Sequence, residues 1–298
     1  MRYIVLGYQW RTGLLAFSFI WGFVILSPMT APSQETHPGK RAAVRAKAVE
    51  AVRPIGDSEE YHVGRAVAAQ ILSEHPLYPD LRLALYVNEV GQVLARKSSR
   101  PNTFLGYHFA VLDSPEPNAF ACPGGIILVT LGLLKLCGSE DELAAALAHE
   151  LAHVARRDGI KSIKAARLAD VRTMARAERV KRRGGPKAEL VADYGETIAD
   201  VRKTIMVNGY GRQAEWSADQ EALATLARSG YNTSALRSLL QKIAAQEKSG
   251  GYRILRTHPP AYLRLARLQA QGLKAAPPDK GAAARTRRFQ SMMERCAG

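Results

Sequence analysis

The chain has 298 residues, of which 47% are hydrophobic, 23% charged and 7% aromatic, which excludes disordered and collagen-like classes and favours helices over a β-sandwich. Its length allows one large domain or two small ones. The net charge of +15 suits an anionic surface, but zinc-finger spacing, an aromatic RNA-binding signature and a basic zipper are all missing, so nucleic acid is not an expected partner.

Arg2 and Arg11 precede the apolar run from Gly13 to Leu26, and no charged residue falls between Arg11 and Glu35. This pattern reads as a signal peptide or N-terminal membrane anchor over residues 1–31, with the body of the protein outside the cytoplasm. Residues 32–57 open with a Pro/Ser/Thr-rich segment and read as a linker. Helical spacing covers Ser58 to Ser73 and Pro79 to Lys97. Near-alternation with aromatics predicts a strand over Thr103 to Leu112, and Ile126 to Thr130, entered through Pro123-Gly-Gly125, predicts a second. From Leu131 onward only helices are expected, and the basic tail 273–298 reads as poorly ordered. Cys122, Cys137 and Cys296 form no disulfide framework, although a Cys122–Cys137 bridge is allowed in an oxidising compartment.

The decisive segment runs from Ser139 to Arg157. Ser139 and Glu142 form a capping box, and acidic residues fill the first helical turn. Alanine and leucine then carry the helix through His149-Glu150-Leu-Ala-His153. The i, i+4 spacing projects both imidazoles from one face, where two neutral nitrogens can bind one Zn²⁺. Glu150 is directed at the same cavity and can act on a water as general base. With 7 His in the chain, roughly 0.01 such motifs are expected by chance.

A catalytic zinc takes a third protein ligand. Ala155 and Gly159 stand where the metzincin extension needs glycine and histidine, so a downstream carboxylate is required. Three Glu-x-x-x-Asp pairs qualify: Glu189/Asp193, Glu196/Asp200 and Glu215/Asp219. Spacing alone does not choose among them, although the small Ala214, Ser217 and Ala218 favour close approach of the third.

The chain resembles the membrane-associated zinc peptidases that include the CAAX prenyl protease, the mitochondrial inner-membrane quality-control protease and bacterial BepA-type periplasmic proteases. The matching stretches are Asn118-Ala-Phe-Ala-Cys-Pro-Gly-Gly125, Gly132-Leu-Leu134, Glu142 to His153, Glu215-Trp-Ser-Ala-Asp219, and Thr257-His-Pro259 with Arg264. The resemblance implies an α+β, helix-dominated, zincin-like (gluzincin) metalloprotease domain over 58–272, with a small sheet beside the active-site helix. It implies one zinc per chain, Glu215 as third ligand, Asp219 behind the ligands, and the bacterial periplasm or its membrane face as location. It also suggests that His258 approaches the zinc as a latch or transition-state residue. Arg264 then braces that loop or stabilises developing charge.

The expected activity is endopeptidase action on exported, unfolded or misassembled polypeptides. A non-catalytic zinc-binding chaperone or adaptor at the membrane surface is the alternative. Asn118 to Gly125 reads either as a turn or as an edge strand that pairs with substrate, with Asn118, Gly124 and Gly125 as candidate contacts. Residues 156–187 carry twelve basic and three acidic side chains, a solvated helical face or a contact for anionic lipid.

Overall fold

The computed structural model describes residues 38–182, 209–248, 258–270 and 280–296. Two compact units divide the chain, Met1–Gly39 and Lys40–Gly298. The apolar segment read as signal peptide or anchor lies outside the described residues. Among the described residues, no helix is long and apolar enough to cross a membrane.

The elements run α1 (Pro38–Val52), α2 (Asp57–Glu74), α3 (Leu81–Ala95), β1 (His108–Leu112), β2 (Ala119–Cys122), β3 (Ile126–Thr130), α4 (Leu131–Leu136), α5 (Glu140–Ala155), α6 (Asp158–Arg182), α7 (Arg212–Ser229), α8 (Ser234–Lys248), α9 (Ala261–Ala270) and α10 (Ala282–Cys296). Polar caps set the starts of several helices. Asp80 accepts the Arg82 and Leu83 amides, at 2.8 and 3.2 Å, and opens α3. The Thr130 hydroxyl accepts the Leu133 amide and opens α4. Ser139 caps α5 by accepting the Glu142 amide, while Glu142 reaches back one residue further than a capping box requires, to the Gly138 amide at 2.7 Å. Gly230, with φ of 76°, ends α7 in a left-handed conformation that costs glycine nothing.

The three strands lie in the order β1-β3-β2, with β1 parallel and β2 antiparallel to β3. The pleat divides their side chains between two apolar clusters. Phe109, Val111, Ala119, Ala121, Ile127 and Val129 join α3 and α5, whereas Leu112, Phe120, Cys122 and Leu128 join α2 and the start of α6. Helix α5 runs through the interior, with every residue from Glu140 to Val154 buried. Its alanines let β2, α3, α7, α8 and α10 approach closely. A helix buried on all sides can hold polar side chains only where each finds a partner, so its histidines and glutamates need partners from the surrounding elements.

Four expectations change. Residues 103–107 form a loop closed by Gly106 at φ of 81°, so the first strand begins only at His108. The segment read as a linker is helical over Pro38–Val52. The tail read as poorly ordered forms α10, because Phe289, Met292, Met293 and Cys296 recur at i, i+3, i+4 and i+7 and pack on the core. Cys122 and Cys137 are not bridged. Both thiols are free and buried, in different apolar clusters.

Candidate active site

Helix α5 places His149 and His153 one turn apart with their rings edge to face, centroids 4.7 Å apart. Their Nε2 atoms face each other at 3.2 Å. Glu215, in the first turn of α7, sets its carboxylate across this pair, with Oε2 3.4 Å from His149 Nε2 and Oε1 3.4 Å from His153 Nε2. His258 joins from the residue before Pro259-Pro260, with Nδ1 2.8 Å from Glu215 Oε2. One ligand atom from each of His149, His153, Glu215 and His258 lies within 4.8 Å of the other three.

The far nitrogen of each α5 histidine is held by a carboxylate. His149 Nδ1 lies 3.0 Å from Asp219 Oδ1, and His153 Nδ1 lies 3.1 Å from Asp158 Oδ2. Donation from Nδ1–H to a carboxylate leaves each Nε2 with its lone pair toward the cluster. Arg264, buried to 3% exposure, donates from Nε to Asp219 at 3.0 Å and brings Nη2 within 3.1 Å of His149 Nδ1. It therefore sits behind His149, on the side away from the cluster. Among the described residues its hydrogen bonds go to Asp219 and His149, not to the His258 loop that it was expected to brace.

Several features fit a divalent metal. Glu215 Oε1 is fully buried and has no hydrogen-bond partner, because His153 approaches it outside hydrogen-bonding geometry. Imidazole and carboxylate donors at one point are the ligand types of zinc. The carboxylates around the cluster also call for positive charge at its centre. Burial disfavours the charged form of His153, yet Asp158 and Glu215 outweigh that and raise it to about 9. Burial likewise acts against ionised Glu215, but His258, His149 and His153 hold it far below the usual carboxylate range.

Glu150 is buried and lies outside this ligand set, with Oε1 3.7 Å from His258 Nε2. The His258 ring is thus placed between Glu150 and Glu215. Of the three carboxylate pairs, the structure brings Glu215/Asp219 to the histidines; Glu189/Asp193 and Glu196/Asp200 lie outside the described residues.

The candidate substrate contacts divide. Asn118 precedes the edge strand β2 and its side chain accepts the Ala119 amide at 2.8 Å. Gly124 and Gly125 form the β2–β3 turn at φ of 79° and 115°. Their amides are already bound, Gly124 N–H to Glu60 and Gly125 N–H to the Cys122 carbonyl, so they are not part of the edge that pairs with no described strand. The described part of the basic stretch is Arg156, Arg157 and α6, whose Ile160 and Ile163 are buried against the sheet while Lys161 is exposed.

Two neighbours of the site escaped the sequence reading, Asp158 and Tyr210. Asp158 follows His153 by five residues, a spacing that leaves the common face of one helix. Arg157, at φ of 56°, ends α5 and turns the chain so that Asp158 comes back beneath His153. Tyr210 lies outside every motif, and its ring stacks on His153 at 4.2 Å.

A zincin-like helix carrying HExxH, completed by a carboxylate from a second helix, defines a metallopeptidase, a hydrolase of peptide bonds. The sequence profile of peptidase family M48 matches residues 82–271, and the chain belongs to that family. It is 29% identical over 212 residues to the beta-barrel assembly-enhancing protease of Escherichia coli (strain K12), covering 70% of this chain and 42% of that protein. It is 27% identical over 187 residues to the mitochondrial metalloendopeptidase OMA1 of Schizosaccharomyces pombe, covering 62% and 52% respectively. Over 191 residues it is 30% identical to a protease HtpX homolog of Salinibacter ruber, covering 55% and 68%. The chain spans about two-fifths of the length of the first of these relatives.

Proposed function

We infer that the chain is a zinc-dependent endopeptidase of the bacterial envelope, acting on exported polypeptides that are unfolded or misassembled. The observation that carries this reading is the convergence of His149, His153 and Glu215 on one point, with Glu150 beside them and outside the ligand set. His149 Nε2, His153 Nε2 and the Glu215 carboxylate would hold the metal. The chemistry that zinc supplies there when bound is polarisation of the scissile carbonyl and acidification of a water. Glu150 takes the proton of the attacking water and delivers it to the leaving nitrogen. Asp219 and Asp158 fix the tautomer and tilt of the two ligand histidines. The edge of β2 that pairs with no described strand receives an extended substrate backbone, which gives affinity without strict side-chain specificity.

The placement of His258 against Glu215 supports a second element of this reading, a latch. As a fourth ligand at the cluster, the His258 imidazole occupies the position that catalysis needs open, so it must move before turnover. The envelope location and the choice of substrate rest on the likeness to the beta-barrel assembly-enhancing protease and on the apolar amino-terminal segment. The excess positive charge of 156–187 supports contact with anionic lipid at the membrane surface.

Casein hydrolysis by the zinc-loaded chain, with and without a chelator and in Glu150→Gln, tests the endopeptidase reading. Chelator-sensitive cleavage that is lost in Glu150→Gln is the expected result. Zinc binding with no cleavage in either protein would favour the non-catalytic chaperone or adaptor instead.

A further inference from the structure

Among the described residues, strand β2 pairs with β3 along one edge and with no strand along the other, and all four of its residues are buried. The Asn118 carbonyl accepts the Thr130 amide at 3.0 Å and the Cys122 carbonyl accepts the Gly125 amide, so the even-numbered residues turn their polar groups toward β3 and its turn. Backbone alternation then points the N–H and C=O of Ala119 and Ala121 to the opposite edge, where the Asn118 side chain already accepts the Ala119 amide. The strand itself packs against α5, the helix of His149 and His153.

The Ala121 carbonyl on that edge is already taken. The Tyr210 hydroxyl donates to it at 3.2 Å. Tyr210 is 7% exposed and stands five residues before Glu215. Its ring stacks on the His153 imidazole with centroids 4.2 Å apart and an angle of 32° between planes. A Cβ built at Gly159 would press on the Pro123 ring at 3.0 Å and lie in ordinary contact, 3.5 Å, with the Tyr210 hydroxyl. A single side chain therefore spans the distance from a candidate metal ligand to the strand edge.

We propose that Tyr210 stands in for the backbone of an extended substrate, its hydroxyl filling the Ala121 acceptor that a bound peptide's N–H would use. This rests on the endopeptidase reading with β2 as the pairing edge. An incoming peptide exchanges one hydrogen bond for another at Ala121, so its gain there is small while Tyr210 stays hydroxylated. Removing the hydroxyl leaves the buried carbonyl unpaired in the free protein and lets the peptide recover the full bond. Tyr210 thus sets the threshold that an extended chain must pass to dock, acting as a positioning residue and taking no proton in the reaction.

The test uses the full-length, zinc-supplemented chain carrying Glu150→Gln, and an unstructured fluorescein-labelled peptide read by anisotropy. Tyr210→Phe keeps the stacked ring and should tighten the peptide Kd by about 3- to 10-fold. The same substitution should lower the thermal stability of the peptide-free protein, an effect that a purely structural tyrosine shares. Tighter binding is the part that a structural role does not produce. Methylating the peptide amides one at a time should reveal one position at which the gain disappears. If Tyr210→Phe does not fold, Tyr210→Leu carries the same expectation.

An unchanged or weaker Kd in a folded variant overturns the proposal. Peptide binding that depends on Tyr210 in a chain that never cleaves would overturn the endopeptidase reading and leave Tyr210 in place. Cleavage by wild type with a Kd indifferent to Tyr210 would do the reverse. Absence of peptide binding in both proteins removes the edge pairing and the role of Tyr210 together.

Discussion

Arg288, in the last described helix, donates from Nε to Oε2 of Glu140 at 2.6 Å, and Glu140 is the first residue of the helix that bears both candidate ligand histidines. Tyr86 and Tyr231 donate to the same carboxylate at 2.7 and 3.1 Å. The next two residues are held in the same way. Asp141 pairs with Arg285, and Glu142 accepts from Lys242 and Ser238. Three consecutive carboxylates thus favour the positive end of the α5 dipole while α8 and α10 neutralise their charge.

Arg288→Ala should therefore destabilise a helix far from its own. Glu140 is fully buried, but Arg288 is 59% exposed and two tyrosine hydroxyls remain on the carboxylate. Discounted for that exposure, the expected loss is about 1–3 kcal/mol in a urea titration. A loss under a few tenths would mean that α10 is not held through this pair.

Glu150→Gln should retain metal, because His149, His153 and Glu215 are untouched. Turnover should fall by at least about 10³-fold, within the range that proton transfer contributes. Activity within about tenfold of wild type would take the proton-transfer role away from Glu150.

Metal content should respond unequally to the three downstream carboxylates. Glu215→Ala should lower zinc stoichiometry far below one per chain, whereas Glu189→Ala and Glu196→Ala should leave it near wild type. Equal metal content in all three variants contradicts the ligand assignment. Chelation should also lower the melting temperature of wild type, since a ligand that binds only the folded state stabilises it by mass action.

For the latch, His258→Ala should raise basal hydrolysis with zinc still bound through the other three side chains. A fall in kcat at unchanged metal content would assign His258 to the transition state instead. A variant indistinguishable from wild type in both quantities would leave its contacts with Glu215 and Glu150 without consequence.

Local rules, acting over a few residues, determined much of this protein from sequence alone. The Ser139 cap, the alanine-rich helix and the i, i+4 histidines can all be read along the chain because helix geometry relates near neighbours. Glu215 was narrowed by its small neighbours and chosen by resemblance. The structure brings that pair to the histidines across a gap of about 60 residues that no local period reports. Asp158 and Tyr210 were invisible for the same reason. One depends on a left-handed turn at Arg157, and the other on which edge of β2 the sheet leaves unpaired. The helix α10 was read as a poorly ordered tail, because its scattered charges hid the i, i+3, i+4, i+7 spacing of Phe289, Met292, Met293 and Cys296. An amphipathic face says that it must be buried, and only the tertiary structure shows that Glu140 and Asp141 of α5 are what its arginines were positioned to meet.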